Sequence, residues 1–170
     1  MIHGSSFEGA LADVVEQAWT SAAGLPVKRS DGTRAGEMRE TLVRGCLYFR
    51  GAWHGVVVLE GSAETARHAA AGMLGMESEL LSAEDIRDAW GEITNIVGGN
   101  ITRFLPEPCQ LSTPAVEEMQ WCVHPAPKGQ LIAEVIFECE DNPCVGGLSE
   151  HAEDRHDGWI QGGHVDSANR

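Results

Sequence analysis

The short motifs that announce a chemistry are missing from this sequence. It has no G-x-x-x-x-G-K-[ST] and no G-x-G-x-x-G to cradle phosphates. It has no G-x-S-x-G elbow, no HExxH and no CxxC. Basic residues are scarce too: 12 Lys+Arg against 26 Asp+Glu leave a formal net charge of −14. That balance works against a nucleic-acid backbone or an anionic membrane surface as partner, and it suits a partner with a positive patch. No apolar run approaches the roughly 20 residues of a membrane span. The opening Met1-Ile-His-Gly-Ser-Ser has neither the basic nor the apolar region of a secretory signal. The expectation is a cytoplasmic protein.

Cysteine offers no framework either. Cys46, Cys109, Cys122, Cys139 and Cys144 are odd in number and irregularly spaced, as buried small hydrophobes would be. Cys139 and Cys144 form a C-x4-C, but a zinc site needs two more ligands and only the scattered His151, His156 and His164 follow. No metal site is expected. His54 and His68 have no nucleophile beside them in sequence and read as structural.

What is present suits one globular domain: 170 residues, 42% of them hydrophobic. Ser5-Ser-Phe-Glu8 matches a capping box for a helix over 5–23, closed by Gly24 and Pro26. Residues 27–36 read as a loop. Leu42–Phe49 and Trp53–Leu59 read as a strand hairpin. Ser62 caps an alanine-rich helix that stops at Gly75, and Ser82-Ala-Glu-Asp85 starts a longer one running to about Leu105, ended by Pro106 and Pro108. Three strands follow, over 109–116, 119–124 and 130–139. Helix, two strands, two helices and three strands make an α+β domain, a mostly antiparallel sheet with long helices packed on it. The expected division is a domain over 1–139 and an acidic, disordered tail over 140–170, where Asp, Glu, His, Gly and Ser dominate.

The long helix is the unusual element. At about 100° per residue, Ile86, Trp90, Ile93, Val97, Ile101 and Phe104 form an apolar stripe. Asp88, Glu92, Asn95 and Gly99 fall together on the opposite side, presenting two carboxylates, an amide and a gap to water. Gly98-Gly99 inside a helix costs roughly 1 kcal/mol per glycine relative to alanine. Such a pair can serve to let something come close. Read blandly, it admits a neighbouring helix and the polar side is an ordinary solvated face.

Gly55-Val-Val-Val-Leu59, Gly72-Met-Leu-Gly75 and then Asp88-x-x-x-Glu92-x-x-Asn95-x-x-x-Gly99 resemble the CheX branch of the CheC/CheX/FliY family of chemotaxis phosphatases. The resemblance implies a CheC/CheX-like fold and hydrolysis of the aspartyl phosphate of a CheY-type receiver domain. It implies that Asn95 holds the attacking water and that Glu92 docks on the receiver's lysine. Asp88 would support docking and Gly99 would give clearance. It implies no cofactor of the chain's own, magnesium belonging to the partner receiver, and a homodimer. Pro114 stands closer to Asn95 than the CheC pattern places its proline and is given no role. The first helix has no second Glu/Asn pair, so the likeness is to one-site CheX more than to two-site CheC. The alternative is a non-catalytic receiver-binding or scaffolding module with the same fold.

Overall fold

The computed structural model describes residues 4–30, 41–120 and 129–151. Helix α1 (Gly4–Ala18) widens into a π turn (Trp19–Ala23) and is stopped by Gly24 at φ 66°. The side chains of the expected Ser5 cap lie outside what is described. Strand β1 (Lys28–Ser30) follows, then the hairpin of β2 (Thr41–Gly51) and β3 (Gly55–Ser62). Helices α2 (Ala63–Leu74) and α3 (Ala83–Ile101) come next, then β4 (Cys109–Leu111), β5 (Ala115–Gln120), β6 (Gln130–Cys139) and β7 (Asn142–Glu150). The architecture is the expected one: α+β, with an antiparallel sheet in the order β1-β6-β7-β3-β2-β4 and β5 also on β2.

The order contains an internal echo. Each half runs helix, short strand, hairpin, and each short strand crosses to the other half's hairpin: β1 pairs with β6, β5 with β2. The inner strands of the two hairpins, β3 and β7, meet at the centre.

Three expectations are corrected. Residues 28–30 are a strand and not part of a loop; residues 31–40 lie outside the description. The strands expected over 109–116 and 119–124 are instead two short ones, 109–111 and 115–120, with residues 121–128 outside the description. The expected tail is also wrong in its first part. Asn142–Glu150 form β7, between β6 and β3, so the sheet extends well past residue 139. Glu140 and Asp141 make the tight turn before it, at φ 48° and 65°, the left-handed geometry that matches strand twist in two-residue hairpins. Residues 152–170 lie outside the description.

The helices cover one face of the sheet. Their apolar stripes pack on Val43, Leu47, Phe49, Val57, Leu59, Val135, Phe137 and Leu148, all buried. Trp19 and Trp90 meet edge to face at 5.4 Å in the middle, an arrangement that suits the ring quadrupoles. On the opposite face, Arg44 and Glu60 sit side by side across β2 and β3, both buried, with Nε to Oε1 at 2.6 Å. Helix α3 lies unusually close to the sheet. A β-carbon on Gly98 would come within 2.8 Å of Leu47 Cδ2. One of the two paired glycines is therefore explained by packing inside the domain.

Candidate functional site

Helix α3 is firmly started. Ser82 Oγ accepts from the Asp85 N–H at 3.1 Å, and the Asp85 carboxylate accepts from the Ser82 N–H at 2.8 Å and from its hydroxyl at 2.6 Å. This reciprocal cap satisfies two orphan donors, and the Ser82 bonds hold the Asp85 carboxyl below its ordinary value. The apolar stripe is buried as expected through Ile86, Trp90, Ile93, Val97 and Ile101. Phe104 departs from it: the α-helix ends at Ile101, a 3-10 turn follows, and Phe104 is 47% exposed.

Asp88, Glu92, Asn95 and Gly99 are all exposed. They line one side of the helix over about 16 Å, at 1.5 Å rise per residue. Among the described residues, the side chains of Asp88, Glu92 and Asn95 make no hydrogen bond or ion pair. Their polar neighbours differ. Thr94 Oγ1 donates to Trp90 O at 2.7 Å, Asn100 Nδ2 to Ile96 O at 2.9 Å and Thr102 Oγ1 to Gly99 O at 2.6 Å. Among the described residues, Asn95 leaves both its donor and its acceptor unused.

An open depression of about 440 Å³ runs beside this face. Its helix wall is Arg87, Asp88, Gly91, Glu92 and Asn95; its other wall is Ser112, Thr113, Pro114 and Val116, from the connection between β4 and β5 and the start of β5. The second wall is fixed to β2: Ser112 N–H donates to Tyr48 O and Tyr48 N–H donates to Ser112 Oγ, each at 3.0 Å. The pairing Gly45↔Val116 then brings β5 alongside α3. Sequence reasoning left this wall out. Pro114 was visible but unplaced, and the rest carried no signal, because only strand register brings it here. Gly99, by contrast, has no atom outside the helix within 4 Å of where its β-carbon would be and is not part of the depression.

Residues 43–120 match the family model described as chemotaxis phosphatase CheX. The chain is CheX-like. Every residue that lines the depression falls inside the matched CheX segment. Among solved structures, CheX from Vibrio vulnificus is 22% identical, with 89% of this chain and 100% of that one covered at a TM-score of 0.70. The CheX–CheY–BeF3–Mg2+ complex from Borrelia burgdorferi matches at 14% identity, 85% and 97% coverage and TM-score 0.64. FliY from Thermotoga maritima matches at 17%, 82% and 84%, with TM-score 0.54. These likenesses are of fold. No curated protein matches the sequence.

In this CheX-like frame, α1 occupies the position in its half that α3 occupies in the other. Asp13, Gln17 and Thr20 stand exposed on it at the spacing of Asp88, Glu92 and Asn95. Glutamine lacks the charge and threonine lacks the amide. The π turn from Trp19 also takes Thr20 off the α-helical register. The acid and amide of α3 are not duplicated. Among the described residues, no group of three or more His, Cys, Asp or Glu side chains is placed to hold a metal ion. Cys139 and Cys144 are buried, and burial pushes the Cys144 thiol up to about 12. No helix among the described residues is long and apolar enough to cross a membrane.

Proposed function

We propose that this chain hydrolyses the aspartyl phosphate of a CheY-type receiver domain, with α3 docked against the receiver's phosphorylation site. The observation that carries the reading is the pair Glu92 and Asn95: exposed, without partners among the described residues and one helical turn apart. Asn95 Oδ1 accepts a hydrogen bond from a water, and its Nδ2 can donate to the same oxygen or to the phosphoryl group. The water is thereby aimed at phosphorus, opposite the aspartyl oxygen. As the new P–O bond forms, the bond to the aspartyl oxygen breaks, leaving the receiver carboxylate and inorganic phosphate. Positioning and excluded solvent supply the acceleration, as they do where a glutamine orients water in GTPases. Glu92 meets the receiver lysine, and Asp88 adds negative charge on the same face. Magnesium comes with the receiver. The match to the CheX model and the CheX–CheY complex among the similar folds support this reading. The proposal extends to a cytoplasmic homodimer, which the mass in solution checks.

Phosphate release from a phosphorylated receiver is the test. The wild type speeds it; Asn95→Ala removes the acceleration and binds the receiver within about threefold of wild type, as a surface truncation should. Equal release rates in the two would overturn the enzymatic reading and favour a binding module.

A further inference from the structure

Arg87 is the one base on the walls of the depression, exposed at the N-terminal end of the helix wall. Among the described residues, Arg29, Arg44, Arg50, Arg67 and Arg103 each have a partner inside the chain. Arg87 has none: its side chain makes no hydrogen bond, ion pair or ring contact with them. On a helix a side chain meets those three and four residues away. Forward of Arg87 these are Trp90 and Gly91, and Glu84, one turn back, stands exposed without pairing to it. Asp88 projects about 100° round the helix from it. The opposite wall, from Ser112 to Val116, brings no charged side chain to the depression. A guanidinium stays charged and offers a fork of donors that matches a carboxylate. Along about 12 Å of helix rise the groove therefore presents a base, two acids and an amide, at Arg87, Asp88, Glu92 and Asn95.

We propose that Arg87 sets the direction of docking and selects the receiver, by pairing with a side-chain carboxylate on the receiver surface beside the lysine that Glu92 binds. The inference rests on the docking reading above. A base followed by acids gives the groove a polarity. One orientation sets acid against Arg87 and lysine against Glu92; the reverse sets lysine against Arg87. The anion is a side chain because the phosphoryl group belongs with Asn95, about 12 Å of helix rise away.

The full chain is titrated with a CheY-type receiver domain carrying beryllium fluoride and Mg2+. Arg87→Glu weakens binding about tenfold or more. Arg67→Glu, the same change of charge on α2 and outside the depression, alters it by less than about threefold. For an arginine that is merely solvated the sign is opposite, since reversal would make the groove more acidic and tighten its hold on the lysine. Arg87→Glu is then titrated with receivers in which each exposed acid around the phosphorylation site, the metal-holding ones excepted, is replaced in turn by lysine. One of these restores affinity to within about threefold of wild type. Melting midpoints stay within about 2 °C of wild type, because Arg87 is exposed. Wild-type or tighter binding by Arg87→Glu, an equal loss in Arg67→Glu, or rescue by none of the receivers overturns this inference alone. Failure of the wild type to bind overturns the docking reading, and this inference with it.

Discussion

Gly45 of β2 lies directly beneath Thr94 of α3: a β-carbon there would run into the Thr94 hydroxyl and stand 3.1 Å from Trp90 Cδ1. The helix carrying the site therefore rests on bare backbone at the point between Glu92 and Asn95. Gly45→Ala forces the helix outward or the strand inward, and overpacking of this kind costs about 1–3 kcal/mol. Urea unfolding should show that loss, and receiver binding should weaken with it, because the wall formed by β5 is paired to the same stretch of β2. A variant with the wild-type unfolding midpoint would mean that α3 has slack at this contact.

Docking through Glu92 predicts a charge signature. Glu92→Lys sets like charges against each other at the groove and should abolish receiver binding, while the melting midpoint barely moves, since the side chain is exposed. For the wild type, affinity should fall as salt rises from about 0.05 to 0.5 M, across which the Debye length shrinks from roughly 14 to 4 Å. Unchanged affinity of Glu92→Lys would remove this residue from the interface.

The cap of α3 predicts a pH dependence. The Ser82 side chain, and then its backbone N–H, hold the Asp85 pKa below its ordinary value. A carboxylate depressed in the folded state contributes its stability above the unfolded value, near pH 4. It loses that stability as pH falls through the lower folded value. Ser82→Ala removes the side-chain bonds, so the Asp85 pKa should rise in a carboxyl NMR titration. The variant should melt about 2–4 °C below wild type at pH 7 from loss of the cap, and the gap should narrow below about pH 4. A gap independent of pH would show that Asp85 contributes nothing through its charge.

Where local patterning decides structure, the sequence was legible. Ser62 and Gly75 bound α2 at the residues expected, and the Ser82–Asp85 box starts α3. The alternation of buried and exposed residues along α3 puts Asp88, Glu92, Asn95 and Gly99 outward. What could not be read depends on distant partners. β7 is a strand containing Pro143, Gly146 and Gly147, weak strand formers whose placement is decided by two neighbouring strands. A β-carbon at Gly146 would stand 3.3 Å from Val15 of α1. The same holds for the groove wall, since no local feature of Ser112-Thr113-Pro114 foretells that register sets it against Gly91. The two paired glycines differ: Gly98 answers to Leu47, and Gly99 has open space beside it but lies outside the depression.

The central place of β7 bears on the order in which the molecule can be made. During synthesis β3 emerges some 80 residues before the strand that will lie against it, at roughly 5–20 residues per second. Until then the β2–β3 hairpin presents the inner edge of β3 unpaired, a template for pairing with another chain. α1 must likewise wait for part of its floor. Residues 43–120 thus hold every residue that lines the depression, yet the sheet beneath it closes only when β7 slides between β3 and β6.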